Sequence, residues 1–163
     1  RFQRFNMITN EEFRSAMSRF ASGVTVMTTA DTAGRPHGLT VSAFCSVSMS
    51  PPMVLACIHK ETASHYAFLE RQAFVVRILG EHQQHISQRF AEPSMDKFDG
   101  TQVYESTEGL PMLADALVTL ECRVASVFDG GDHTIIVGSV ENADIRTGAP
   151  LIYYHHDYRK IKV

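Results

Sequence analysis

The chain has 163 residues, of which 44% are hydrophobic and 20% are charged, and its formal net charge is −3. This length and composition are typical of a globular protein and predict a single domain over residues 1–163. The acidic balance argues against nucleic-acid binding, since such surfaces need basic residues that neutralise phosphates. No apolar run is long enough for a membrane helix and no signal-peptide pattern is present, so we expect a cytoplasmic protein.

The first predicted element is an amphipathic helix over residues 10–21. Thr9 and Glu12 have the spacing of a capping box, and Gly23 ends the run. An apolar stripe at helical spacing lies between these two signals and consists of Phe13, Ala16, Met17 and Phe20.

A predicted strand over 24–30 and a turn at 31–34 lead into residues 37–59, the most informative segment of the chain. Two strand-like runs flank a break at Pro51-Pro52. Alternation along one continuous strand would separate hydroxyl from apolar side chains. The hydroxyl face would hold Thr40, Ser42, Ser46 and Ser48, and the apolar face Leu39, Val41, Ala43, Cys45 and Val47. A hydroxyl face suits a flat, polar-edged ligand, although an ordinary half-solvated strand gives the same pattern.

The remainder of the chain predicts two more short helices and a β-rich C-terminal third. The helices are expected at 63–72 and 81–91, the strands at 74–79, 117–128, 134–145, 151–155 and 158–163, and an irregular segment at 92–111. Residues 129–132 carry a strong hairpin signal. Six to eight strands without strict strand–helix alternation favour a mainly β fold, an antiparallel β-barrel with a few helices packed outside it.

Three cysteines, Cys45, Cys57 and Cys122, lie in apolar strand-like runs. Their odd number and wide spacing fit neither a disulfide framework nor a zinc motif, so we expect three buried, reduced thiols.

Two pairs of histidines invite a metal interpretation. His82 and His85 lie three apart on a polar helix but lack a clear third ligand. His155 and His156 are neighbours in a predicted strand and would point to opposite faces. The sequence therefore predicts no metal site.

His133 stands out because it follows the turn at 129–132, at the mouth of the predicted barrel. A histidine there can reach a ligand and titrates near neutral pH, although an exposed turn histidine is an equal alternative. Arg89 and Phe90 offer a phosphate donor and a stacking surface, or simply a helix end. Lys60 and Ser64 precede a helix N-terminus, where anions bind, although Thr62 could be its N-cap.

Together these segments resemble the flavin reductase family of two-component monooxygenases, whose fold is the FMN-binding split β-barrel of Greek-key type. The resemblance runs from Phe13 to Tyr158 in one colinear order. The matching stretches are Phe20–Val26, Gly38–Ser48 with Pro51-Pro52, Phe90-Ala91, Gly109–Pro111, Gly131–Thr134, Gly138–Val140, and Pro150-Leu151 with Tyr158.

The resemblance implies a set of cofactor-binding residues along the chain. It places the flavin ring beside Thr40, Val41, Ser42, Ala43 and Phe44, with Ser46 and Val47 near the ribityl chain and phosphate. It places Lys60 and Ser64 at the phosphate-bearing tail, Arg89 and Phe90 over the phosphate or adenine end, and Tyr158 near the ring. His133 matches the histidine that approaches the nicotinamide.

The implied reaction is hydride transfer from NADH or NADPH to FMN or FAD, with reduced flavin released to a partner oxygenase. The protein would contribute binding and ring orientation, with His133 orienting the nicotinamide or stabilising charge. The resemblance also implies a homodimer. Two alternatives stay open: a flavin- or haem-binding module without reductase activity, and a reductase that passes electrons to a corrinoid or an iron complex.

Overall fold

The computed structural model describes residues 7–94 and 96–161. Strands dominate, as the sequence predicts. The helices are α1 (Asn10–Met17), α2 (His65–Arg71) and α3 (Gln84–Ala91), with a 3-10 turn at Glu81–Gln83. The strands are β1 (Ser22–Gly23), β2 (Thr25–Ala30), β3 (Pro36–Val41), β4 (Phe44–Met49), β5 (Pro52–His59), β6 (Ala73–Ile78), β7 (Val103–Glu105), β8 (Pro111–Leu113), β9 (Val118–Gly130), β10 (His133–Ile145), β11 (Ile152–Tyr154) and β12 (Asp157–Arg159).

The main sheet has seven strands in the order β3-β2-β6-β9-β10-β5-β4, and all of its neighbours are antiparallel. The prediction of a mainly β, antiparallel fold is confirmed. The sheet is open rather than closed, with β3 and β4 at its two edges. Smaller sheets pair β1 with β11 and β12, and β7 with β8.

One apolar cluster shows how strongly the main sheet curves. Leu39 and Val41 of β3 pack in the same buried cluster as Val54, Ala56 and Ile58 of β5. These strands lie near opposite edges of the sheet, so its two ends bend towards each other around a shared core. Burial of such side chains contributes roughly 1.5–3 kcal/mol each.

A second cluster fixes helix α3 against strand β3. Phe90 is fully buried in it with Val24 and Leu79, and its ring meets Phe98 edge to face at 5.0 Å. A Cβ at Gly38 would lie 2.7 Å from the Phe90 ring, so only glycine lets the helix approach this closely. The helix that carries Arg89 is therefore anchored by its neighbour Phe90.

The prediction of one two-faced strand in the 37–59 segment is wrong. The strand is interrupted at Ser42 and Ala43, which lie between β3 and β4. A bulge also interrupts β4 between Ser46 and Ser48. The bulge adds one residue to β4 and shifts the alternation of side chains beyond it by one residue. As a result Val47 is half exposed instead of lying on a buried apolar face.

Several element boundaries also differ from those predicted. Helix α1 ends at Met17 rather than at residue 21, and the predicted helix at 81–91 begins as the 3-10 turn. The irregular segment at 92–111 contains β7 and the start of β8. The predicted strand at 158–163 ends at Arg159, and residues 162–163 lie outside the described part of the chain. Among the described residues, the helices lack the combined length and apolar character needed to cross a bilayer.

Candidate active site

A cleft of about 710 Å³ lies between helix α1 and the β4–β5 edge of the main sheet. It has the size of a small-molecule site in a protein. Its walls combine aromatic, aliphatic and sulfur side chains with a few polar groups. The lining residues are Asn10, Phe13, Arg14, Met17, Ser18, Phe20, Ser22, Ser42, Ala43, Phe44, Cys45, Leu55, Cys57, Asp132, Tyr153 and His156.

The floor of the cleft carries free backbone donors. Ser42 and Ala43 lie between β3 and β4, and neither N–H has a hydrogen-bond partner among the described residues. Within residues 7–94 and 96–161, β4 pairs only with β5, so its outer edge also keeps unpaired backbone groups. Such a row of donors and acceptors can bind the polar edge of a flat ligand.

His133 lies beside the cleft and is joined to it by Asp132. The His133 Nδ1 atom is 2.7 Å from Asp132 Oδ1. Because an ionised carboxylate can only accept, this contact places a proton on Nδ1 and leaves Nε2 available to another partner. His59, the cross-strand neighbour of His133, meets it edge to face with the ring centroids 5.0 Å apart.

The β9–β10 turn that carries Asp132 is held by Lys60. The Lys60 Nζ atom donates to Asp129 Oδ1 and to the Gly131 carbonyl, both at 2.5 Å, and its backbone N–H donates to the Asp132 carbonyl at 2.9 Å. Hydrogen bonding from Lys60 lowers the pKa of Asp129, and hydrogen bonding from His133 lowers the pKa of Asp132. Both carboxylates are therefore ionised at neutral pH.

Some predicted site residues meet in or beside this cleft. Ser42, Ala43 and Phe44 line it, and His133 adjoins it through Asp132. Ser46 and Val47 lie further along β4, where both are exposed.

Other predicted site residues have internal partners. Thr40 donates its hydroxyl to the Ser87 carbonyl at 2.6 Å, and Val41 is buried in the core beneath the cleft. Tyr158 lies with its Oη atom 2.7 Å from Ser87 Oγ and its ring against Tyr153, which lines the cleft.

Three more predicted site residues lie on the helices away from the cleft lining. Ser64 is buried where α2 begins. Arg89 donates to the carbonyls of Asp96 and Asp99 in the loop after α3. Phe90 has no exposed surface, so the stacking face expected from the sequence is covered by its own core.

Sequence reasoning missed the contribution of α1 to the cleft. Phe13 and Met17 of α1 line it, together with Phe20 just after the helix, and they remain 57%, 51% and 73% exposed. The helical spacing identified this stripe, but spacing alone does not say whether an apolar face is covered. Tyr153 and His156 were also missed, and no local signal marks either residue.

The cysteines differ from the expectation of three buried thiols. All three are free thiols, but Cys45 is exposed and Cys57 is half-buried, and both line the cleft. Burial raises the pKa of the Cys57 thiol, and it raises the pKa of Cys122 to about 12. These two thiols are therefore protonated at neutral pH and poor nucleophiles. The described part of the chain contains no cluster of His, Cys, Asp or Glu suited to a metal ion.

Comparisons with known proteins agree with each other over nearly the whole chain. The sequence profile described as "Flavin reductase like domain" matches residues 17–162. The reductase component of a 4-nitrophenol 4-monooxygenase/4-nitrocatechol 2-monooxygenase from Rhodococcus opacus is 43% identical over 88% of this chain and 76% of its own length. A flavin reductase (NADH) from Kitasatospora aureofaciens is 40% identical over 94% of this chain and 83% of its own length.

Solved structures give the same result at the level of the fold. The NADH:FAD oxidoreductase of Streptomyces globisporus, in complex with NAD and FAD fragments, superposes with a TM-score of 0.89 at 31% identity, covering 96% of this chain and 97% of that one. Nitrilotriacetate monooxygenase component B from Mycobacterium thermoresistibile gives a TM-score of 0.89 at 36% identity, covering 93% and 86%. The chain therefore belongs to the flavin reductase-like family.

Proposed function

We propose that the chain is an NADH-dependent flavin reductase that transfers a hydride from NADH to FMN or FAD. The observation that carries this proposal is the alignment with the flavin reductase (NADH) of Kitasatospora aureofaciens, at 40% identity over 94% of the chain. Relatives named NADH:riboflavin 5'-phosphate oxidoreductase and FMN reductase (NADH) are 40% and 41% identical to it. NADH is accordingly favoured over NADPH.

The cleft between α1 and β4 suits the flavin ring. The free N–H groups of Ser42 and Ala43 match the acceptor atoms along one edge of an isoalloxazine, and Phe44 adds apolar contact. When bound, the flavin supplies the hydride acceptor at its N5 atom. Ser46, Val47 and Lys60 extend from the cleft along β4 and past the end of β5, and we assign them to the ribityl and phosphate end.

His133 is assigned to the nicotinamide. Its Nδ1 atom is held by Asp132, which fixes the ring and leaves Nε2 as the free polar atom beside the cleft. A fixed imidazole can hydrogen-bond the carboxamide of NADH and hold the two reacting rings in contact. Hydride transfer itself moves no proton to the protein, so this role is orientation.

Six further residues are assigned to the support or shape of the site. We assign Thr40 and Val41 to the support of β3 beneath the ring, and Tyr158 to the support of Tyr153. The position of α3 supports the assignment of Arg89 and Phe90 to the far end of the flavin site. The buried Ser64, at the start of α2, is assigned to the support of the loop that carries Lys60.

We further propose that the whole chain forms one domain with the split-barrel, Greek-key fold. The shared core of β3 and β5 supports a curled sheet. In the sheet, β6 lies beside β2 and β10 beside β5, so strands that are distant in the chain are neighbours, which supports Greek-key connections between the hairpins.

The reduced flavin is proposed to leave and serve a separate monooxygenase, since two relatives are named as reductase components of such systems. A homodimer is also proposed, supported by the exposed apolar stripe of α1. The three free thiols support a reducing, cytoplasmic location.

The test is NADH and NADPH oxidation by the purified chain, with FMN, FAD and riboflavin each titrated under air. We expect NADH consumption that depends on added flavin and saturates in one of the flavins. A preparation that binds flavin but oxidises neither nicotinamide would contradict the proposal and favour a binding module.

A further inference from the structure

A second cavity lies on the outer face of the main sheet, away from the cleft. It has a volume of about 320 Å³, large enough for a small organic molecule. Strands β6, β9 and β10 form its floor, and the segment that carries β7 and β8 covers it. Its lining residues are Arg77, Tyr104, Met112, Ala114, Asp115, Thr119, Glu121, Asn142, Ala143, Asp144 and Arg146.

Arg77 is the unusual member of this cavity. It lies on β6 and is only 6% exposed. Its Nη1 atom donates to Thr119 Oγ1, whereas its buried Nε atom has no hydrogen-bond partner among the described residues. No described residue accepts from its Nη2 atom either. The Nε–H and Nη2–H side of a guanidinium is the fork that binds a carboxylate with two parallel hydrogen bonds.

The charged neighbours of Arg77 already have partners. Arg146 lies 3.5 Å from both Asp115 and Asp144. The Glu121 carboxylate accepts hydrogen bonds from the Thr107 backbone N–H at 3.1 Å and from the Thr107 hydroxyl at 2.7 Å. It also accepts one from the Asn142 side chain. Arg77 is thus left without a carboxylate within salt-bridge distance in the described part of the chain.

The protonation state of Arg77 is compatible with anion binding. Burial, reinforced by the nearby charge of Arg146 and opposed by the charges of Asp144 and Asp115, lowers its pKa to about 10, so the guanidinium stays cationic at neutral pH. The buried Nε–H of this cation lacks an acceptor, which is costly, and an anion in the cavity would relieve that cost.

We propose that this cavity is a second ligand site and that Arg77 binds the carboxylate of a small organic acid through Nε–H and Nη2–H. The ligand also carries a hydroxyl or ammonium donor, since Asp115, Glu121 and Asp144 on the cavity wall favour a donor and repel further negative charge. A phosphate dianion is disfavoured for the same reason. Tyr104 and Met112 supply the apolar wall.

The experiment follows the arginine side-chain Nε–H signals of the isotope-labelled full chain by NMR during titration with sodium glycolate. Sodium chloride at equal ionic strength is the control. We expect one signal to shift saturably with glycolate and to be absent from Arg77→Met. Propionate, which lacks the hydroxyl, should bind about two- to tenfold more weakly.

Two variants separate the site from general effects. Ala143→Leu places a larger side chain on an exposed position of the cavity wall and should block the shift while Arg77 remains. Arg123→Met removes an arginine that already pairs with Glu108 and Glu141, and should leave the titration unchanged.

Three results would overturn the proposal: no saturable shift in the wild type, an unchanged shift in Ala143→Leu, or tighter binding of phosphate than of glycolate. The wild-type titration decides the matter even if Arg77→Met fails to fold. Flavin-dependent NADH oxidation by Arg77→Met is expected to match the wild type, because Arg77 does not line the cleft.

Discussion

His133 shows how one hydrogen bond defines the role of a side chain. Its Nδ1 atom is held by Asp132, so the ring is fixed with Nε2 beside the cleft. Replacement by alanine removes Nε2 together with the hydrogen bond to Asp132 and the ring contact with His59. We expect His133→Ala to lower kcat/KM for NADH by roughly two- to tenfold, the loss of one hydrogen bond, with little change in flavin affinity. His85→Ala, on the exposed face of α3, is the matched control. A raised KM for flavin with an unchanged kcat/KM for NADH at saturating flavin would instead place His133 in the flavin site.

Thr40 is a residue for which the structure suggests a role different from ligand contact. Its hydroxyl donates to the Ser87 carbonyl and ties β3 to α3. Thr40→Val should therefore lower the free energy of unfolding by about 0.5–1.5 kcal/mol and leave the KM for flavin unchanged. Thr40→Ser keeps the donor and should retain most of the stability. A raised KM for flavin without loss of stability would instead show that the Thr40 hydroxyl contacts the flavin.

His65 gives the stability of the protein a dependence on pH. Burial and the nearby Lys60 lower its pKa, and its Nε2 atom lies 2.8 Å from Thr134 Oγ1. Since the unfolded chain binds the proton first, the stability present above roughly pH 6.5 is lost as the pH falls towards the folded pKa. The thermal midpoint should fall between about pH 7 and pH 5 more steeply in wild type than in His65→Gln. Equal slopes would exclude this role.

At the scale of elements, the β11–β12 hairpin uses an unusual turn. His155 and His156 occupy its two central positions with φ angles of 53° and 63°, where asparagine and glycine are preferred. His156→Gly should therefore raise the free energy of unfolding by about 1 kcal/mol, measured by chemical denaturation. His85→Gly, inside α3, should lower it by about the same amount. A destabilised His156→Gly variant would show that the imidazole in the cleft makes contacts that outweigh the strain.

Prediction of the elements from sequence succeeded where a pattern is local. The capping box of Thr9 and Glu12 forms as its spacing predicts, and the 129–132 turn joins β9 to β10. Prediction failed where register depends on distant pairing. The bulge in β4 and the break at Ser42 are set by the pairing with β5, and no residue in the segment encodes them alone.

At the scale of the whole molecule, the sequence indicated an antiparallel β fold but not the open edges of its sheet. Whether the two edges of the sheet join depends on how Leu39 and Val54 pack in one core, and these residues come from strands far apart in the sheet. For the same reason, only some of the residues at the cleft could be predicted from the sequence. Ser42 and His133 carry sequence signals, whereas Phe13 and Tyr153 reach the cleft only through tertiary packing.

The exposed stripe of α1 predicts the association of two copies of the chain. Phe13 and Met17 are more than half exposed, and no residue of α1 is buried. We expect a dimer by sedimentation equilibrium and at least partial dissociation of Met17→Glu, because a charge on an apolar interface is costly to desolvate. Ser15→Glu adds the same charge on another face of α1 and should stay dimeric. A monomeric wild type would contradict this prediction.

Reduction of free flavin by NADH is measured directly under anaerobic conditions with an excess of flavin. A small amount of protein is mixed with NADH and a large excess of FMN or FAD, and the loss of oxidised-flavin absorbance is followed. We expect each protein molecule to reduce many flavin molecules, because bound flavin exchanges with free flavin. Reduction that stops at one flavin per protein molecule, or does not occur, would contradict this expectation.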